Sequence, residues 1–299
     1  AAVEMGQGVL TKIRRIVATT LGIREQRVRI ESTSTSRVAN MSPTAASTAT
    51  DLNGMAARMA CQLLLDRLKG VAVELSGSSG GRIEVREEQV WVGDVCSELG
   101  WDALIAEAYQ RRVDLSAHAL YATPGLDYDK QSEQGSPFAY HVCGTAAVEA
   151  RVDVLRGTAV IESVKVVHDA GRSLDVLVDR GQAEGAIVQG IGWMTIEELV
   201  YNPEGRLLSG SLTTYKVPDF HSAPETIEVV FLENSQAPGA VMQTKAIGEP
   251  PFMYGIGAYF AIRAAMRSAC ELRTDWIEAP MTNERILEQL TGSWGSLDT

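Results

Sequence analysis

One stretch, Gly248-Glu249-Pro250-Pro251, constrains the fold more than any other because an apolar segment follows it directly. A proline has no backbone N–H, so a new element has to begin at this point. The apolar positions between residues 252 and 266 follow helical spacing and predict a buried helix. Pro250 also disfavours a helical backbone at the preceding residue, so Glu249 is predicted to be extended or in a turn.

Glu249 is a candidate general base because it stands at the head of this predicted helix. A carboxylate held at the head of a buried helix is poorly solvated, as the carboxylate of a general base is in many enzymes. The alternative is an ordinary loop glutamate, stabilised by the positive end of the helix dipole. The spacing of residues leaves both interpretations open.

Length and charge exclude several classes of protein. The 299 residues are enough for one large or two smaller domains. The net charge of -11 argues against nucleic acid and anionic membranes as partners, and the sequence contains no apolar run that could span a bilayer. The four cysteines are scattered without a Cys-x-x-Cys pair, which is typical of reduced thiols in a cytoplasmic protein. Because the first residue is not Met, we expect the chain to be the later part of a longer polypeptide.

Periodicity predicts an α+β fold, because helices and strands alternate irregularly. The predicted helices are 10–21 (ending at Gly22), 51–69 (ending at Gly70), 101–111, a helix within 173–198, 252–266 and 283–290. The predicted strands are 27–31, a hairpin at 83–92 turning at Glu87-Glu88, 113–122, 138–154, 158–168 and 225–232. Two domains are predicted: residues 1–137, with a hairpin insertion near 76–93, and residues 138–299, which carry Glu249.

Several polar motifs are candidate sites. Met5-Gly6-Gln7-Gly8 leads into a helix, where backbone N–H groups and a glutamine amide could hold an anionic or pterin-like ligand. The segment 43–48 combines small side chains with hydroxyls, and Gln182 and Gln189 share one helix face. The alternative for Met5-Gly6-Gln7-Gly8 is a tight turn, and the alternative for residues 43–48 is a set of helix caps. The alternative for the two glutamines is that their hydrogen bonds are satisfied within the core. His168-Asp169 could be a charge-relay pair, but a solvated strand end is favoured.

Taken together and in this order, the motifs resemble those of the molybdenum hydroxylases, the xanthine dehydrogenase and aldehyde oxidase family. The resemblance covers nearly the whole chain and is carried by residues 4–8, 42–47, 51–54, 181–185, 188–190, 214–218 and 245–251. One departure is Ala49, where the family pattern often has a serine.

The resemblance implies a molybdopterin-binding fold with mixed sheets and packed helices, a Mo-molybdopterin cofactor, and roles for particular residues. Glu249 would be the catalytic base beside the molybdenum, and no residue of this chain would be a metal ligand. The residues implied to bind the cofactor are Met5, Gly6, Gln7, Thr44, Ala45, Ala46, Ser47 and Gln189.

The implied function is that of the C-terminal, cofactor-binding part of a xanthine dehydrogenase-type enzyme, which hydroxylates hypoxanthine and xanthine to urate. The implied partners are the N-terminal part of the molybdenum subunit, an iron–sulfur and FAD subunit, a purine substrate and a second copy in a homo-oligomer. The isolated chain is expected to be inactive. Two alternatives stay open: an aldehyde oxidase-like or other molybdenum hydroxylase, and a non-catalytic fragment without cofactor.

Overall fold

The computed structural model describes residues 2–36, 44–77, 82–233, 235–272, 274 and 276–291. The predicted α+β class is confirmed, and the sheets are mixed. The α-helices are α1 (Val9–Leu21), α2 (Ala49–Ser76), α3 (Trp101–Gln110), α4 (Val176–Thr195), α5 (Gly257–Ala269) and α6 (Asn283–Thr291). The strands are β1 (Ile83–Arg86), β2 (Gln89–Val92), β3 (Val95–Gly100), β4 (Asp127–Asp129), β5 (Gln134–Ser136), β6 (Gly144–Asp153), β7 (Thr158–His168) and β8 (Thr226–Phe231).

The chain forms two compact units. The first consists of Ala1–His141, Arg172–Asp175 and Gln236–Ala246, and the second of Val142–Gly171, Val176–Ser235 and Ile247–Thr299. The division predicted between residues 137 and 138 stays a prediction. Residues 78–81 of the expected hairpin insertion lie outside the described residues, as do residues 292–299.

The first unit is organised around α2. Leu68, Val71 and Ala72 of this helix are buried against β1, β2 and α3. These contacts correct the prediction that α2 ends at Gly70. The helix continues to Ser76 and ends at Gly77, which has φ 62°. Gly70 lies on the exposed side, so burial of Val71 and Ala72 outweighs the cost of a glycine inside a helix.

The predicted hairpin in the first unit is confirmed. β1 and β2 pair in antiparallel fashion, and Glu87 and Glu88 at the turn have φ values of 51° and 64°. Left-handed residues at both central positions match the twist of the flanking strands. The sequence prediction missed β3, which pairs with β2, and the short hairpin formed by β4 and β5.

Two predicted strands are wrong. Residues 28–34 and 113–123 have no strand structure, and a short 3-10 helix occupies Glu25–Arg27. Alternating apolar residues support a strand only where a second strand supplies backbone partners, and neither segment is paired in the described structure.

The second unit is a three-stranded sheet with helices packed on it. β6 and β7 are antiparallel, and β8 joins β7 in parallel, as a helical connection through α4 allows. The core lies between this sheet and α4, α5 and α6. Its fully buried members are Val164, Ala183, Ile187, Ala258, Ile262, Met266 and Ile286. In the described part of the chain, no helix has the length and apolar character needed to cross a membrane.

Candidate functional site

The Met5-Gly6-Gln7-Gly8 segment forms a compact turn at the start of α1. Glu4 folds its carboxylate over this turn and accepts the N–H groups of Gly6 at 2.9 Å, Gly8 at 3.0 Å and Leu10 at 3.0 Å. Partial burial would raise the pKa of Glu4, but these backbone hydrogen bonds outweigh it, and the pKa is lowered. The N–H groups that we expected to be available for an anionic ligand therefore already serve Glu4 at these three positions.

The side-chain amide of Gln7 is also used within the turn. Its oxygen accepts the Met5 N–H at 2.6 Å, and its nitrogen donates to the Val3 carbonyl at 2.7 Å. Met5 is 82% exposed. The segment thus presents a methionine side chain and peptide edges to the surroundings, while Glu4 and Gln7 hold its backbone in place.

The second predicted segment, Thr44 to Ser47, is a strained turn directly before α2; Ser42 and Pro43 of this motif lie outside the described residues. Ala46 and Ser47 have φ values of 54° and 57°, and the Thr48 N–H donates to the Ala45 carbonyl at 3.3 Å. A left-handed backbone costs roughly 1–2 kcal/mol for each residue with a Cβ. Strain of this kind is concentrated at functional sites.

The first unit also contains a partly buried polar connection that the sequence analysis did not find. The Tyr140 hydroxyl donates to Asp51 at 2.6 Å and accepts the Ala246 N–H at 2.9 Å. Burial, followed by the hydrogen bond to Asp51, raises the pKa of Tyr140. Burial also raises the pKa of Asp51, and Tyr140 and Lys12 oppose that rise. Asp51 lies in the first turn of α2, so the connection fixes the start of this helix.

In the second unit, Gln189 lies on α4 with its side chain exposed, whereas Gln182 is half-buried. The next residue, Gly190, is in close contact with the 3-10 helix Pro250–Ile256. A Cβ on Gly190 would lie 2.2 Å from the Phe252 carbonyl oxygen, and a Cβ on Gly255 would lie 2.4 Å from the Gly190 carbonyl carbon. Phe252 also stacks on Trp193, with ring centroids 5.3 Å apart. The elements that carry Gln189 and Glu249 are therefore packed backbone to backbone.

Glu249 caps this 3-10 helix, and its backbone corrects the prediction. It has φ -87° and ψ -40°, which is a helical rather than an extended conformation. The Glu249 carbonyl accepts the Phe252 N–H at 3.0 Å, which stabilises the first turn, and Pro250 has no N–H to leave unsatisfied. The predicted continuous helix 252–266 is instead a 3-10 helix followed by α5. The Glu249 side chain is exposed in this chain, contrary to the poor solvation that we expected.

His168 and Asp169 are buried, so the predicted solvated strand end is wrong. His168 Nδ1 lies 2.8 Å from the Tyr254 hydroxyl, and Asp169 accepts the Gly171 N–H at 3.0 Å and the Ser235 hydroxyl. Burial, followed by the charge of Asp169, raises the pKa of Tyr254. The sequence gives little indication that His168 and Tyr254 are in contact, because the two residues are separated by 86 positions.

The predicted site residues thus divide between the two units. Met5, Gly6 and Gln7 belong to the first unit, as does the turn at 44–47, and Gln189 and Glu249 belong to the second. Each unit therefore carries groups of the kind that bind a pterin: small side chains and hydroxyls at residues 44–47 in the first unit, and the exposed amide of Gln189 in the second. An added Cβ at Gly6 would meet no atom within 4 Å, so space is open at that position.

Comparison with known families decides what these elements belong to. The sequence model of the molybdopterin cofactor-binding domain matches residues 1–224. The chain belongs to this family. The chain is 37% identical over 290 residues to "Xanthine dehydrogenase/oxidase" of Mus musculus, covering 95% of this chain and 20% of that relative. It is 38% identical over 291 residues to "Xanthine dehydrogenase" of Dictyostelium discoideum, with the same coverages. The chain therefore spans about a fifth of the length of these relatives.

Solved structures share the fold of this chain. Quinoline 2-oxidoreductase from Pseudomonas putida 86 superposes with a TM-score of 0.80 at 23% identity, covering 97% of this chain and 36% of that one. Aldehyde oxidoreductase from Desulfovibrio gigas superposes with a TM-score of 0.71 at 21% identity, covering 95% of this chain and 28% of that one. These likenesses show that the chain shares its fold with parts of both oxidoreductases.

Proposed function

We propose that this chain is the C-terminal, cofactor-binding part of a xanthine dehydrogenase, which in the complete enzyme hydroxylates hypoxanthine and xanthine to urate. The observation that carries the proposal is 37% identity to xanthine dehydrogenases over 95% of the chain. This identity favours the xanthine dehydrogenase assignment over the two alternatives, an aldehyde oxidase-like enzyme and a non-catalytic fragment.

The residues that we propose to contact the cofactor are those that the family resemblance implies. In the first unit, Met5, Gly6 and Gln7 would contact the pterin through a turn that Glu4 fixes. The left-handed turn at Ala46 and Ser47 would let the pterin approach the backbone closely, since these side chains are small. In the second unit, the Gln189 amide would hydrogen-bond the pterin from α4.

Glu249 would act as the general base. The molybdenum group, when bound, supplies the two-electron oxidation and the site at which oxygen is delivered to the purine. Glu249 would accept the proton that must leave the attacking oxygen, a role for which a carboxylate on a fixed backbone is suited. The backbone contact between Gly190 and Gly255 restricts the helix that begins at Glu249, so the carboxylate would be presented from a defined position.

The rest of the enzyme would supply what this chain lacks. The N-terminal part of the molybdenum subunit would complete the purine pocket, and iron–sulfur clusters and FAD in other domains or subunits would accept the electrons. We further propose that the complete enzyme is a homo-oligomer in the cytoplasm. We also propose that the 299-residue chain is inactive when it is separated from the rest of the enzyme.

The test is substrate comparison on the complete enzyme with measured molybdenum content. We expect kcat/KM for xanthine and hypoxanthine to exceed that for aromatic aldehydes and quinoline. A preference for an aldehyde would replace this assignment with the aldehyde oxidase-like alternative. Absence of molybdenum from the purified complete enzyme would refute both.

A further inference from the structure

The hydrogen bond between His168 and Tyr254 joins the end of β7 to the helix that begins at Glu249. His168 has no solvent exposure, and its Nδ1 lies 2.8 Å from the Tyr254 hydroxyl. The two rings meet edge to face, with centroids 5.7 Å apart, and Phe231 of β8 lies 6.2 Å from the same imidazole. The buried imidazole is therefore packed against one ring from β8 and one from the 3-10 helix.

The sheet also leaves room for the tyrosine hydroxyl at one particular place. A Cβ on Gly144, in the β6 position paired with His168, would lie 1.8 Å from the Tyr254 hydroxyl oxygen. Any larger residue there would push the hydroxyl away from the imidazole. Gly144 and the His168 imidazole thus form the place that receives the Tyr254 hydroxyl, which we call the Tyr254 socket.

The helix carrying Tyr254 needs such a contact. Pro250–Ile256 is a 3-10 helix of seven residues, and helices of this type are weak on their own because their hydrogen-bond geometry is poor. On one side its backbone touches α4 at Gly190. On the other, Tyr254 enters the socket at the end of β7. Its first residue is Pro250, directly after Glu249, so movement of the helix would move the carboxylate.

We propose that His168 and Tyr254 are positioning residues that fix the helix at whose head Glu249 stands. The inference rests on the proposed function, because Glu249 acts as the base only there. Neither residue contacts the substrate in this account. They act by holding the backbone from which the carboxylate extends, so their loss would slow the chemical step more than it weakens substrate binding.

The decisive comparison is Tyr254→Phe against Tyr259→Phe in the complete enzyme. Both variants keep the ring and lose a hydroxyl with a partner in the second unit: His168 for Tyr254 and the Ile277 carbonyl, at 2.7 Å, for Tyr259. We expect Tyr254→Phe to lower kcat for xanthine per bound molybdenum by about tenfold or more, while KM changes by less than about twofold, since small misplacement of a catalytic group is costly. The control should lower stability and leave kcat per molybdenum unchanged. Equal kcat values for Tyr254→Phe and wild type would overturn the proposal.

Rescue by a conservative change separates positioning from packing. His168→Asn keeps an amide, which can donate or accept a hydrogen bond, close to the place of Nδ1, whereas His168→Leu keeps bulk and loses the hydrogen bond. We expect Asn to recover most of the kcat per molybdenum that Leu loses. Equally impaired variants would show that only the volume of the imidazole matters and would overturn the proposal.

A measurement independent of the cofactor distinguishes failure of this inference from failure of the proposed function. Amide hydrogen exchange should become faster across residues 249–256 in Tyr254→Phe and stay as in wild type in Tyr259→Phe. If the enzyme lacked molybdenum or did not turn over xanthine, the proposed function would fall while this comparison still reported on the helix. Unchanged exchange at 249–256 would overturn the positioning role under any function.

Discussion

Gly190 and Gly255 meet backbone to backbone in the second unit, where a Cβ on Gly255 would lie 2.4 Å from the Gly190 carbonyl carbon. The contact joins α4, which carries Gln189, to the 3-10 helix that begins after Glu249. The position of Gln189 relative to Glu249 therefore depends on a contact between two glycines. Because both atoms in contact belong to the backbone, no rotamer change can relieve a larger residue at either position.

We expect Gly255→Ala to lower the free energy of unfolding by about 3 kcal/mol, at the upper end of overpacking effects. The matched control is Gly185→Ala on the same helix α4, where an added Cβ would meet no atom within 4 Å. That change should stabilise the protein by about 0.5–1 kcal/mol, because alanine favours helices over glycine. Denaturant titration of both variants is the measurement. Equal midpoints would show that the backbone contact is not present in solution.

Glu249→Gln should abolish most turnover in the complete enzyme while leaving the cofactor bound. Glutamine keeps the shape of the side chain but cannot accept a proton, and a general base commonly contributes about 10²–10⁴-fold to the rate. The measurement is reductive half-reaction kinetics at verified molybdenum and sulfido content, with the exposed Glu271→Gln as the control. If Glu249 only caps its helix, the rate would stay nearly unchanged, and a variant within about threefold of wild type, far short of that range, would exclude the base assignment.

Glu4 should make the turn at residues 5–8 sensitive to acid. Its pKa is lowered from the ordinary value of 4.5, because backbone N–H groups stabilise the carboxylate more than burial penalises it. A lowered pKa in the folded state contributes stability that is complete above the ordinary value and is lost as the pH falls through the folded value. Wild type should therefore be more stable than Glu4→Gln at neutral pH, and the difference should shrink below pH 4.5. Melting temperatures of the two proteins across this window are the measurement, and a difference independent of pH would contradict the prediction.

Ala46→Gly should stabilise the first unit. The alanine has φ 54°, and relief of a left-handed conformation is worth about 1 kcal/mol. Ala45→Gly is the control, because residue 45 is not among those with positive φ and its replacement only adds freedom to the unfolded chain. Denaturant unfolding should shift in opposite directions for the two variants. A destabilised Ala46→Gly protein would show that this turn is not left-handed in solution.

The isolated chain should take up little molybdopterin. It spans about a fifth of the length of its xanthine dehydrogenase relatives, so contacts that we propose for the remaining polypeptide would be absent while the cost of ordering the cofactor stays. Molybdenum analysis of the separately expressed chain and of the complete enzyme is the measurement. Stoichiometric molybdenum, or turnover of xanthine, in the isolated chain would contradict the prediction.

Local chemistry explains which parts of the fold were predictable. α1 ends at Gly22 in a left-handed conformation, as the helical spacing and the glycine indicated. The hairpin turns at Glu87 and Glu88 as predicted, because its strands are adjacent in sequence and pair through a two-residue turn. α3 begins at Trp101 as predicted. In each case the determining interactions lie within a few residues of one another.

The sequence by itself determined the family and the candidate residues, since the order of short motifs around Met5, Ala46, Gln189 and Glu249 is a property of the chain alone. The end of α2 and the burial of His168 were decided by the tertiary structure. Each depends on a partner that only folding brings near, such as Tyr254 for His168. Periodicity and propensity report the preference of a segment, whereas packing free energy between distant segments decides whether that preference is kept.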